Sequence, residues 1–208
     1  NTTYRIGGSV FSQGTIYPGD YDYRKGTSNL ALNHLSKDNL FEVKLHVNYG
    51  IDQNNLTGTN GLNPANILLP PNAPSVFNDD GSLNWEDWSE AGLSNPMEGY
   101  FNTTSTQTRN LNANLVLSYE IVSGLRLKSS FGYANFTSDE FWKLPIRSYA
   151  PASNPVNRSS HLSTNRKSWI IEPQLTYDQN FGKLETHFLI GGTLQKNGSD
   201  RSSFQGQG

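Results

Sequence analysis

The sequence predicts an all-β chain, an antiparallel segment of a transmembrane β-barrel with about seven long strands and long extracellular loops. The first observation is the run from Arg109 to Tyr133. Leu111, Ala113, Leu115, Leu117, Tyr119 and Ile121 occupy every second position, with Asn110, Asn112, Asn114, Ser118 and Glu120 between them. A period of two makes a strand with one oily and one wet face. The second is length. After Ser123-Gly124 the alternation resumes in Leu125, Leu127, Phe131 and Tyr133 against Arg126, Lys128, Ser130 and Gly132, giving a hairpin with a minimal turn. About 10 residues cross a bilayer when tilted, whereas soluble strands average about 5–6. The third is the loops, where short turns alternate with long connections, as in a barrel with one plain and one elaborated rim.

Composition agrees. The chain has 208 residues, 34% hydrophobic and 16% charged, with a net charge of -2. A barrel shows apolar side chains to lipid and keeps a polar lumen, so low overall hydrophobicity with local alternation suits it. The sequence holds no apolar run of the ~20 residues that a spanning helix needs. Cysteine is absent, which excludes a disulfide framework and a thiolate metal site. Near-neutral charge offers no footprint for nucleic acid. The polar opening Asn1-Thr2-Thr3-Tyr4 does not read as a signal peptide, and the chain is expected to be part of something longer.

In order, Tyr4, Ile6 and Val10 make a first short strand broken at Gly7-Gly8, turned back by Gln13–Asp20 through Pro18-Gly19. Tyr21 to Leu35 is a second strand, and Ser36-Lys37-Asp38-Asn39 a short turn. The third strand is clear: Phe41, Val43, Leu45, Val47, Tyr49 and Ile51 against Glu42, Lys44, His46, Asn48 and Gly50. From about 53 to 101 periodicity vanishes and Pro64, Pro70, Pro71, Pro74 and Pro96 appear. Such long loops are usually functional. The central hairpin follows, then a second irregular loop from about 141 to 164. Lys167 to Phe181 returns as a strand, and Leu184 to Gln195 is the seventh after a turn at Gly182. Seven strands do not close a bacterial barrel, which uses an even number, so residues 1–208 read as part of a larger wall.

Several stretches resemble a known family. These are Leu68-Leu69-Pro70-Pro71-Asn72-Ala73-Pro74, Phe77 through Glu86, Asn95-Pro96-Met97, Leu115 through Leu125, Phe131-Gly132-Tyr133, and Ser168 through Leu175. Together, in order, they look like the mid-barrel region of SusC/RagA-like TonB-linked outer-membrane transporters. The resemblance implies a plugged barrel of about 22 strands, with plug and C-terminal barrel strands lying outside this chain. It also implies TonB-energised import of oligosaccharide or peptide, a SusD-like surface lipoprotein as partner, contact with outer-membrane lipid, residence in the bacterial outer membrane, and no cofactor.

For a site, the expectation falls on Trp85, Trp88, Tyr100 and Phe101 in the long loop, whose aromatic faces suit stacking on sugar rings or gripping peptide side chains. The plainer alternative is that they pack the loop on itself or join an interfacial girdle. Asp79-Asp80-Gly81 offers carboxylates for calcium, but an Asp-Gly turn is the simpler reading. His34, His46, His161 and His187 are scattered without metal spacing. Asp139 and Glu140 are adjacent on a strand and point to opposite faces, the wrong geometry for an acid/base pair. No catalytic residues are expected. The competing function is a soluble all-β carbohydrate-binding or adhesin module, in which the same oily faces would pack against a second sheet.

Overall fold

The computed structural model describes residues 1–15, 21–56, 68–182 and 184–208. The expected Pro18-Gly19 turn and Pro64 lie outside the described residues. One antiparallel sheet holds β1 (Thr2–Gly14), β2 (Asp22–Leu35), β3 (Phe41–Asn54), β4 (Thr103–Val122), β5 (Leu125–Leu144), β6 (Arg158–Phe181), β7 (Leu184–Gly191) and β8 (Leu194–Gln207). Each strand from β1 to β7 lies beside its predecessor, and β8 also pairs with β6. A five-residue helix, α1 (Glu86–Glu90), sits in the β3–β4 loop.

β7 and β8 share one register against β6: Gly191 pairs with Gln174, and Leu194 pairs with Ile171, three residues further along each strand. The eight strands therefore occupy seven positions across the sheet. The interruption lies opposite Pro173, which has no N–H for the ladder. Its carbonyl still accepts from Gly192 N at 3.1 Å. The seventh strand thus runs on to Gln207, beyond the expected end at Gln195.

Three further boundaries differ from the sequence reading. β1 passes through Gly7-Gly8 unbroken. β5 reaches Leu144 and β6 starts at Arg158, so the irregular loop expected over 141–164 shrinks to Pro145–Asn157. The reason is that Arg158–Arg166 is polar on both faces and shows no alternation, although each residue pairs with Phe136–Leu144.

The register sorts the side chains. Across one row run Tyr4, Leu32, Leu45, Leu115, Phe131, Ile171 and Leu194, apolar from edge to edge. On β3 this face reads Phe41, Val43, Leu45, Val47, Tyr49, an aliphatic band between aromatic ends. The lower aromatic end continues through Phe41 beside Tyr119, and Tyr177 beside Phe188; the upper through Tyr133 beside Trp169. Phe41 to Tyr49 spans about 27 Å along the strand, or about 21 Å at a barrel's tilt, close to the ~25 Å apolar band of membrane barrels.

The band also slides across the sheet. Val10, still apolar on β1, shares its row with Arg109 and Asp200, while Phe188 on β7 shares its row with Leu125. A level membrane band that crosses hydrogen-bonded rows obliquely is what tilted, staggered barrel strands produce.

Nothing covers this face. Tyr4 is 75% exposed, Ile6 74% and Ile190 70%. Among the described residues the buried apolar side chains are Leu83, Trp88 and Met97, all in the β3–β4 loop. A compact protein of this length exposes roughly 9,700 Å², whereas this chain exposes 14372 Å². The sheet has no core of its own.

The central turn explains one glycine. Gly124 adopts φ +82, and a Cβ there would sit 2.2 Å from the Asp178 carbonyl oxygen, whose own residue donates its N–H to Gly124 O at 2.8 Å. A bulge near Ile121 closes the hairpin, and Arg126 pairs with Glu120 at 3.1 Å beside it.

A charge on the lipid face near mid-band costs about 2–4 kcal/mol in a membrane barrel. If the apolar row faces lipid in this way, Leu115→Arg in the full-length protein depletes its heat-modifiable folded band on gels. Asn114→Arg, one position along on the opposite face, is expected to leave it unchanged.

Candidate functional site

Two features stand apart from the plain wall: the packed loops at the long-loop rim, and the polar face of the sheet. The β3–β4 loop folds around its own small core. Asn84 precedes Trp85, the N-cap of α1, and ties the loop to the first turn: its Oδ1 accepts from Asp87 N at 3.3 Å and its Nδ2 donates to Asp87 Oδ2 at 2.8 Å. Trp88, on the inner side of that turn, is 3% exposed and donates its indole N–H to Ser75 O at 3.1 Å. Asn95 acts as the staple. It is 1% exposed, donates to Val76 O at 2.8 Å and Asn84 O at 2.9 Å, and accepts from Met97 N at 2.9 Å.

Asn78 to Ser82 forms a small hairpin closed by a Phe77–Leu83 bridge, with Gly81 at φ +80. Asp80 accepts from Ser82 Oγ at 2.6 Å and Ser82 N at 2.9 Å. These bonds, the hydroxyl first, hold its carboxyl below the ordinary value. The Asp79-Asp80-Gly81 stretch is thus a turn, and no group of three metal-ligating acids or histidines occurs among the described residues.

This folded loop is tied to the β5–β6 loop. Gly99 N donates to Ser148 O at 2.8 Å, and Asn102 Nδ2 to Tyr149 Oη at 2.9 Å. Arg147 lies over the Phe101 ring at 4.3 Å, a cation–π contact. Tyr100 packs edge-on against Phe77 at 5.4 Å and Phe101 at 5.1 Å. Tyr21, at the foot of β2, donates its hydroxyl to Tyr100 O at 3.2 Å, and burial, then Tyr100, raises its pKa. The two long loops form one packed cap on that rim.

The four aromatic residues expected to bind cargo therefore separate. Trp88 lies in the loop core, with its indole engaged in holding the loop together, the plainer of the two roles expected for it. Tyr100 and Phe101 are half-buried in the seam, with one face of Phe101 taken by Arg147. Trp85 is half-buried at the start of α1.

Below the cap, the polar face carries two recesses that share His46 and Asn48. One, of about 360 Å³, is bordered by Asn112, Asn114, Ser168, Gln195 and Asn197; the other, of about 510 Å³, by Arg5, Asn29 and Ala31. Their floor is low because small residues line it. At Gly132 a Cβ would meet Ile170 Cγ2 at 2.6 Å, so no larger residue fits under Ile170. The result is a carboxamide-rich groove that can donate and accept hydrogen bonds. His34 lies near Thr2 Oγ1 at 2.7 Å, His161 is 4.0 Å from Asp139, and His187 contacts Asp178, so the histidines remain separate.

A third recess, about 550 Å³, opens at the long-loop rim on the same face, lined by Trp142, Leu144, Arg158, Ser160, Gln205 and Gln207. Trp142 is 50% exposed there. The sequence reading placed Trp142 and Arg158 inside an irregular loop and gave them no role. The available signal was the even spacing of Phe136, Glu140, Trp142 and Leu144 continuing β5.

No protein-family profile and no curated protein sequence matches the chain. Solved structures do share its fold. They include the RagAB peptide importer in the closed-closed state (TM-score 0.72), the RagAB peptide transporter (0.72), and the importer in the open-open state (0.71). Each is 14% identical in sequence, and each alignment covers 100% of this chain and 24% of the matched one. The chain thus spans about a quarter of the length of the proteins whose fold it shares.

Replacing a buried tryptophan by alanine costs about 3–5 kcal/mol. In full-length protein Trp88→Ala should open the β3–β4 loop to limited proteolysis while the heat-modifiable barrel persists, and Trp85→Ala should not. Acid tests the hairpin separately. A carboxyl whose folded pKa is depressed stabilises above its ordinary value and loses that contribution as pH falls through the folded value. Protection of the Ser82 amide from hydrogen exchange, corrected for intrinsic rate, should fall in acid in the parent and be independent of pH in Asp80→Asn, whose carboxamide oxygen accepts the same bond without titrating.

Proposed function

We propose that the chain is part of the wall of an outer-membrane importer of the SusC/RagA kind. In this reading residues 1–208 belong to a larger closed barrel, whose plug couples to the TonB energising system. The observation that carries it is the uncovered apolar face, an aliphatic band between two aromatic margins on strands long enough to span a bilayer. A soluble binding module would need a second sheet over Leu45, Leu115 and Ile171, and these residues stand in an open row instead. The shared fold with peptide-importer structures supports the same conclusion.

Within this reading the cap on the long-loop rim faces the cell exterior, where a surface lipoprotein would dock and deliver a peptide or glycan. The wall performs no bond-making chemistry. Its work is to hold a polar face toward the path and an apolar face toward lipid, with passage driven through the plug. Trp85, Tyr100 and Phe101 would act at this rim by shaping the entrance, and Trp88 by keeping the loop folded.

Excision of 68–96, joined by a short Gly-Ser linker, is expected to abolish nutrient uptake or lipoprotein co-purification while the barrel still assembles. Loss of the barrel itself would make the loop structural. Uptake that continues unchanged in cells without the TonB system would remove the importer reading.

A further inference from the structure

The polar face is not uniform. Along β5, β6 and β8 its rows descend from the long-loop rim in a fixed order: Leu144, Arg158 and Gln207; Trp142, Ser160 and Gln205; Glu140, Leu162 and Ser203; Ser138, Thr164 and Arg201; Phe136, Arg166 and Ser199; then Ala134, Ser168 and Asn197 at the carboxamide recess. Three arginines lie in this lane, and among the described residues none of them has a hydrogen-bond, ion-pair or ring partner. All three are exposed. The one carboxylate in these rows is Glu140. Asp139 and Asp200 point to the other face, where Asp139 accepts from Ser163 Oγ at 2.8 Å.

Some cations of the wall are paired, Arg24, Lys44 and Arg126 each with a carboxylate within 3.1 Å; what sets this lane apart is that three guanidinium groups fall on one face of two neighbouring strands with a single carboxylate among them. Guanidinium groups left open along one lane, with a net excess of positive charge, suit carboxylates, which a planar fork binds in bidentate fashion. Apolar stations lie among them at Trp142, Leu162 and Phe136. Rows on one face of a strand repeat at about 6.8 Å, and so do same-side side chains of an extended peptide. A peptide lying along the lane would therefore meet one station with every second residue.

We infer that the inner face of β5, β6 and β8 is a binding lane for extended peptides that carry carboxylates, with Arg158, Arg201 and Arg166 reading the charge and Trp142 receiving an apolar side chain at the rim. This rests on the importer reading and narrows it. A neutral glycan would use the tryptophan and the amides and leave the guanidinium groups without partners.

The test uses the full-length protein purified in detergent and three fluorescein-labelled hexapeptides that carry Glu, Gln or Lys at alternate positions. Binding is read by fluorescence polarisation at low and physiological salt. Because exposed ion pairs are individually weak but three guanidinium groups are available, the Glu peptide should bind about 10-fold tighter than the Gln peptide at low salt and by a smaller factor at physiological salt, with the Lys peptide weakest. A variant combining Arg158→Gln, Arg166→Gln and Arg201→Gln should erase that preference, the Glu peptide losing much more affinity than the Gln peptide. Trp142→Ala should weaken both peptides in parallel.

Equal binding of all three peptides by the unsubstituted protein would overturn the inference, as would equal loss of Glu and Gln peptides in the triple variant. Competition by an oligogalacturonate that exceeds the Glu peptide would overturn the peptide class. The importer reading fails on a different result: no folded barrel in the outer membrane, or uptake independent of TonB.

Discussion

The structure depends on one constraint, that the backbone N–H and C=O groups of a single-layer wall find partners within the sheet. Antiparallel pairing from β1 through the joined β7 and β8 meets it row by row. Once the ladder is fixed, the pleat leaves no freedom in where side chains go. Leu115 and Asn114 differ by one position and occupy opposite environments. A slip of one residue anywhere would exchange them along the whole strand. Register is therefore held twice, by the apolar row from Tyr4 to Leu194 and by turns such as Gly124, where a side chain would strike Asp178.

That is also why the sequence shows some of this fold plainly and conceals the rest. β3 and β4 are legible because lipid demands apolar residues on one face and water tolerates polar ones on the other. Where the wall rises above the band, both faces are wet and the demand disappears. Arg158 to Arg166 contains Ser, Thr, Asn, His and a single Leu, so nothing in its pattern distinguishes a strand from a loop. Pairing with Phe136–Leu144 decides it, and pairing is a long-range fact. Gly7-Gly8 misleads in the other direction, since β2 holds the glycines in line by hydrogen bonds that no local pattern encodes.

The cap follows a different logic from the wall. Its stability comes from a miniature core around Leu83, Trp88 and Met97 and from the buried amide of Asn95, features of a soluble fold set on a membrane one. Aromatic residues in such a loop are ambiguous by composition. A ring that can stack on cargo can equally fill a core, and Trp88 is used for the second purpose. Trp142 had the opposite history: it lies on an unrecognised strand extension, and alternation past the membrane band turns it toward the polar face.

The extension above the band ties these observations together. Strands that served only to cross a bilayer would stop near the upper aromatic margin at Tyr133 and Trp169. β5 and β6 continue for several more residue pairs, ending at Leu144 and Arg158. Above the apolar band those pairs carry no apolar requirement, so their inner-facing residues are free to be polar. What they present is a sequence of open guanidinium, aromatic and amide groups in regular steps, leading from the cap down to the carboxamide recess over Gly132. The wall thus changes character along its length: below, one face is kept apolar row after row, and above, both faces are polar and the pattern of side chains is set by something other than burial.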